Sequence, residues 1–209
     1  MAYYPQGASE MNGLRHMVLL YGSRKDQWTE ERLRAYAAWL DDDHKAKDWM
    51  FDAFLFTPSM TPNGQYTIAD INRGTSRSGE GDFYAIPCPN PANKRGYEEL
   101  LGLYFDDDGW LATLDATLAG LRKELATPAP PHNVCLLVPY PGIAQTMWGR
   151  LPGGDRSLNF SVTGQSVDRA AQDRLAASKW FVDQAIERWS AGRYPNLNLL
   201  GFYWPFESV

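Results

Sequence analysis

The 209-residue chain is poor in the side chains that hold metals and form cross-links: it has three histidines and two cysteines. His16, His44 and His132 are scattered, and Cys88 and Cys135 are distant, so no ligand pair falls at a zinc spacing. One disulfide would consume both cysteines, but Cys135 stands inside an apolar run and reads better as a small buried residue. There is no basic cluster, and the net charge is −5, which argues against a nucleic-acid partner. No apolar run reaches the roughly 18 residues of a membrane span. The start, Met1 to Asn12, is polar and lacks the apolar stretch of a signal peptide, so the chain is either not exported or shown without its leader. Neither G-x-G-x-x-G nor G-x-x-x-x-G-K-[ST] occurs, which weakens nucleotide binding, and no G-x-S-x-G elbow accompanies the histidines. No metal or cofactor is implied. Asp41-Asp42-Asp43-His44 reads as a solvated helix end, and Asp106-Asp107-Asp108-Gly109 as a turn with an N-cap, because both lack calcium-loop spacing.

What the chain does have is ordinary for a soluble globular protein: 44% hydrophobic and 22% charged residues, enough for a single domain over 1–209. Tryptophan stands out at eight. Its rings serve as stacking platforms for flat ligands and, more often, as core filler.

Four short apolar runs predict strands: Met17–Gly22, Phe51–Thr57, Asn133–Val138 and Leu197–Tyr203. Between them lie helical patterns. Thr29 with Glu30 and Glu31 makes an N-terminus, and Leu33, Tyr36, Ala37 and Leu40 recur at helical spacing. Trp110 to Leu125 places five leucines on one side, and Asp168 to Ala191 is the longest helix, closed by Gly192. The stretch 58–109 is rich in Pro and Gly and reads as a long irregular insertion after the second strand, with room for a short helix at 97–104. Strand–helix alternation predicts an α/β fold of parallel (β/α) units. Four strands and three main helices amount to half of a TIM-type barrel, which needs about 250 residues when complete.

Each strand runs out into aromatic or proline residues and then a polar segment. In parallel α/β sheets that end carries the chemistry. Glu207 follows the fourth strand, past Pro205, where a candidate acid/base would stand. Tyr21, Arg24, Tyr140, Trp148, Tyr203 and Trp204 are candidate substrate-binding residues for the same mouth. Asp52, near the amino end of its strand, reads as structural.

The segments His16–Gly22, Asp48–Phe56, Leu136–Pro141 and Leu200–Glu207 together resemble the DUF4855 family, over nearly the whole chain and on the amino-terminal half of its longer members. The resemblance implies a barrel similar to glycoside hydrolases, and a secreted or periplasmic setting, but no proven catalytic residue. Three readings follow. The first is a glycoside hydrolase-like protein with Glu207 as acid/base and a second carboxylate, from Asp52, Glu80, Asp82 or Asp106 to Asp108, within roughly 5–10 Å. The second is a non-catalytic carbohydrate-binding or scaffold module. The third is an inactive piece of a longer enzyme, whose open sheet requires either a homodimer or a missing carboxyl-terminal half.

Overall fold

The four apolar runs pair into one sheet. In the computed structural model, which describes residues 5–65 and 90–205, the chain forms β1 (Met17–Gly22), α1 (Glu30–Ala37), β2 (Ala38–Leu40), β3 (Ala46–Trp49) and β4 (Ala53–Pro58). Then come α2 (Lys94–Phe105), α3 (Trp110–Glu124), β5 (His132–Leu137), β6 (Gly149–Arg150), β7 (Ser157–Leu158), α4 (Val167–Ala191) and β8 (Leu197–Tyr203). The main sheet has the order β1-β4-β5-β8, and every neighbouring pair is parallel. Each strand therefore lies beside the one that precedes it among the four.

Register explains which side chains are buried. Val18 is opposite Phe54 and Leu20 opposite Phe56; Phe54 and Phe56 in turn face Val134 and Leu136. Side chains alternate along a strand, so these residues share one face. Phe56 on that face stacks on Trp110 of α3 at 5.3 Å between centroids. Leu19 and Tyr21, of the opposite phase, are 44% and 55% exposed. α1 packs on α3, α3 on α2 and α2 on α4, in a single helix layer. Its fully buried residues include Leu33, Tyr97, Leu100, Trp110, Leu114 and Phe181.

Local rules fix the helix starts. Thr29 accepts the Arg32 amide at 3.3 Å, Asn93 accepts that of Gly96 at 3.0 Å, and Ser166 that of Arg169 at 3.2 Å, each satisfying an orphan donor of the first turn. The end of α1 departs from the sequence pattern. α1 stops at Ala37, not at Leu40, and the acidic run that follows is a hairpin turn rather than a helix end. Asp41 accepts the amides of Asp43 and Lys45 at 3.1 and 2.8 Å, and His44 takes a left-handed φ of 59°. That turn folds β2 and β3 into an antiparallel pair. Two contacts with Glu124 of α3, Arg34 Nη2 at 2.6 Å and the Ala46 amide at 2.7 Å, hold helix and hairpin together.

The irregular stretch is less irregular than its composition predicts. Residues 94–105 form α2, with Tyr97, Leu100, Leu101 and Tyr104 fully buried, so this part belongs to the core. Gly192 ends α4 as expected but at φ −71°, so a left-handed turn is not the reason for it. A Cβ there would meet Tyr194 Cε2 at 2.5 Å, and the tight approach of that ring calls for glycine.

Candidate functional site

The two ends of the sheet differ. At the amino end, Asp52 accepts the amides of Arg15 and His16 at 3.0 and 2.8 Å, which anchors the segment before β1. His132 is 2% exposed, and neither ring nitrogen has a hydrogen-bond partner. It lies against Trp49 and Phe54, with centroids 5.0 and 6.1 Å away. Burial above all, with the Arg122 charge acting the same way and Asp52 opposing, lowers its pKa to about 4. A cavity of about 840 Å³, lined by Arg15, Asp48, Trp49, Phe51, Asp52 and His132, opens at this end.

At the carboxyl end, parallel pairing brings the four strand tips to one rim. Gly22 is level with Pro58, and Leu137 with Tyr203. Past β5 and β8 the Val138 amide donates to the Tyr203 carbonyl at 2.9 Å, keeping the two tips together. This sets the Tyr140 and Trp204 rings edge to face, 6.2 Å apart, with Trp204 44% exposed. The rim is backed from below: Tyr104 donates to the Leu137 carbonyl at 3.3 Å. The tip of β1 is closed by Gln27, which takes the Ser23 amide at 3.1 Å and donates to the Tyr21 carbonyl at 3.1 Å. Gly22 leaves room for it, since a Cβ would meet the Gln27 carboxamide at 2.6 Å.

The residues expected at the mouth divide. Tyr140, Tyr203 and Trp204 come together on the β5–β8 side. Tyr21 near the end of β1 and Arg24 just past it stand at the other edge of the sheet, about 14 Å away by three strand spacings. Arg24 is exposed and pairs with Asp26 at 3.3 Å. Trp148 is a core residue: it is 1% exposed and packs on Tyr97, Phe160 and Trp180, away from any ligand at the rim. Glu207 lies outside the described residues, as do Glu80, Asp82 and Cys88. Of the other acids considered, Asp52 sits at the opposite end, and Asp106 and Asp108 are paired with Lys25. Among the described residues no cluster of side chains has the makings of a metal site, and no helix is long and apolar enough to cross a membrane.

Sequence reasoning missed the device that positions the loop after β5. That loop folds back through the β6–β7 pair onto α4, where Asp173 is buried. Its carboxylate takes both Arg156 nitrogens at 2.5 and 2.8 Å and the Asn159 amide at 2.9 Å. Burial alone would raise this carboxyl; the Arg156 and Asn159 hydrogen bonds outweigh it and hold it below its ordinary value. The acid therefore contributes stability above pH 3.8, lost as the pH falls through its lower folded value. Arg156→Ala should cost about 2 kcal/mol, less than a fully buried pair because Arg156 is one-third exposed and Arg169 lies 3.7 Å from the same carboxylate. Urea unfolding reads that loss, and limited proteolysis should show new cleavage between 149 and 160; an unchanged midpoint would mean the pair holds nothing. The signal available in the sequence was an aspartate at a core position of an otherwise amphipathic helix.

A family model described as a domain of unknown function, DUF4855, matches residues 16–209. No curated protein and no solved structure matches the chain.

Proposed function

We propose that this chain, which belongs to the DUF4855 family, is a carbohydrate-binding (β/α) unit built as half of a TIM-type barrel. Three features support the half-barrel: the sheet order follows the chain, all strands are parallel, and the helices form one layer, as in an arc of such a barrel. The observation that carries the sugar reading is the Tyr140–Trp204 pair at the carboxyl-end rim, with Trp204 44% exposed. Aromatic faces offer apolar area with a negative quadrupole at little entropic cost, which suits the C–H faces of a pyranose. Tyr21 and Arg24 stand too far off to touch the same ring. A chain of several sugars, rather than a monosaccharide, would reach both sides.

Hydrolysis is the second reading, and it turns on residues beyond those described. Glycosidic cleavage uses two carboxyls flanking the bond. Glu207 follows β8 by four residues and is the candidate acid/base; Glu80, Asp82 or Asp107 is the candidate partner, since Asp52, Asp106 and Asp108 are engaged elsewhere.

Calorimetric titration with cello-, xylo- and chitohexaose tests the binding reading. At least one is expected to bind, and Trp204→Ala should weaken it tenfold or more while the urea midpoint stays within about 0.5 kcal/mol of the parent, as for a surface change. No saturable binding, or equal binding by the variant, would sink the proposal. Release of reducing ends that disappears in Glu207→Gln would favour the hydrolase.

A further inference from the structure

Among the described residues, the two outer strands of the main sheet lack the protection that natural edges carry. β1 and β8 end the order β1-β4-β5-β8, so each has one side without a strand partner in that sheet. β1 reads Met-Val-Leu-Leu-Tyr-Gly and β8 reads Leu-Asn-Leu-Leu-Gly-Phe-Tyr, without a charge or a proline in either. Soluble proteins guard long edges with charges, prolines or short strands, because a bare edge pairs with other chains. The same molecule follows that rule elsewhere: the small β2–β3 sheet carries Lys47 and Asp48 on β3, with Lys47 paired to Asp41 at 2.7 Å. On the main sheet the face opposite Phe54 and Phe56 also leaves Leu19 and Tyr21 exposed.

We infer that a second copy of this chain covers these edges, closing two four-stranded halves into an eight-stranded barrel. This rests on the half-barrel reading above. A two-fold axis along the strands sets β8 of each copy beside β1 of the other and keeps all eight strands parallel. The bulge at Leu200, where pairing with β5 steps from Leu199 to Gly201, adds curvature of the kind a closing sheet uses. A seam of about six residues supplies about six backbone hydrogen bonds, so two seams supply about twelve, near the number in an ordinary stable interface. The inner faces, roughly 20 by 19 Å each, add about 800 Å² over both copies. With the seams, the total reaches the range of about 1,200–2,000 Å² that specific complexes bury.

Light scattering on the eluted full chain tests this. The parent should run at twice 23.6 kDa. Leu19→Lys and Leu200→Glu should each run as folded monomers by circular dichroism, because one charge enters both seams. Mixing the two should restore a dimer, since one seam is then unaltered and the other pairs lysine with glutamate. A parent of 23.6 kDa at every concentration overturns the inference. So does a dimer that survives both substitutions, or a mixture that stays monomeric. Should Leu19→Lys fail to fold, Tyr21→Lys, at a more exposed site on the same strand, takes its place. A parent that is monomeric and still binds the hexasaccharides overturns the dimer and leaves the carbohydrate reading intact.

Discussion

Replacing Trp110 by alanine is expected to lower the unfolding free energy by about 4 kcal/mol, within the range for large aromatic truncations in a core. The ring is fully buried, stacks on Phe56 at 5.3 Å and lies 6.2 Å from Tyr104. Its Nε1 donates to the Lys25 carbonyl at 3.3 Å, and the Lys25 ammonium reaches back to Asp106 at 3.0 Å and to Asp108. One side chain thus joins the loop after β1, the turn between α2 and α3, and the middle of the sheet. Trp110→Phe keeps most of the apolar contact and loses the hydrogen bond, so about 1–2 kcal/mol should go. Urea unfolding at neutral pH gives both numbers. A loss below about 1 kcal/mol for the alanine variant would mean that the surrounding rings close the hole, and that this cluster is not a rigid joint.

Acid should weaken the fold well before its carboxylates titrate. With a folded pKa of about 4 against 6.5 when free, His132 stays neutral in the native state while the unfolded chain takes up a proton. Stability is then full above pH 6.5 and falls as the pH drops from 6.5 toward 4, by about 3 kcal/mol at 1.36 kcal/mol per unit of pKa. Below that the native ring protonates too and the slope ends. His132→Leu should flatten this interval and cost little at pH 7, because it removes two buried nitrogens that have no partner. Unfolding midpoints of both proteins between pH 4 and 7 decide it. An equal slope in the variant would place the acid sensitivity elsewhere.

How much of this was legible depended on the range of the interaction. The strands were readable because Val18-Leu19-Leu20 and Val134 to Leu137 are apolar runs too short for helices. Their common direction followed from the helices between them. The end of α1 was not readable: Leu40 fits helical spacing, and what overrides it is the Asp41 carboxylate gripping two amides of its own turn. α2 was legible only as room for a short helix over 97–104, because prolines crowd the stretch before it. Trp148 was misplaced for a different reason. Nothing local separates a tryptophan that ends in the core from one that ends at a surface, and its burial is set by Phe160 and Trp180, far along the chain. Tyr140 and Trp204 had the same ambiguity, which only the pairing of β5 with β8 resolves.

Because each main strand pairs with the one made just before it, the protein suits assembly in the order of synthesis. A nascent chain emerging from the ribosome offers β4 to a β1 that is already free, then β5, then β8, and no late strand must be inserted between two early ones. Stalled chains ending before β8 should therefore already protect the amides shared by β1, β4 and β5 against hydrogen exchange.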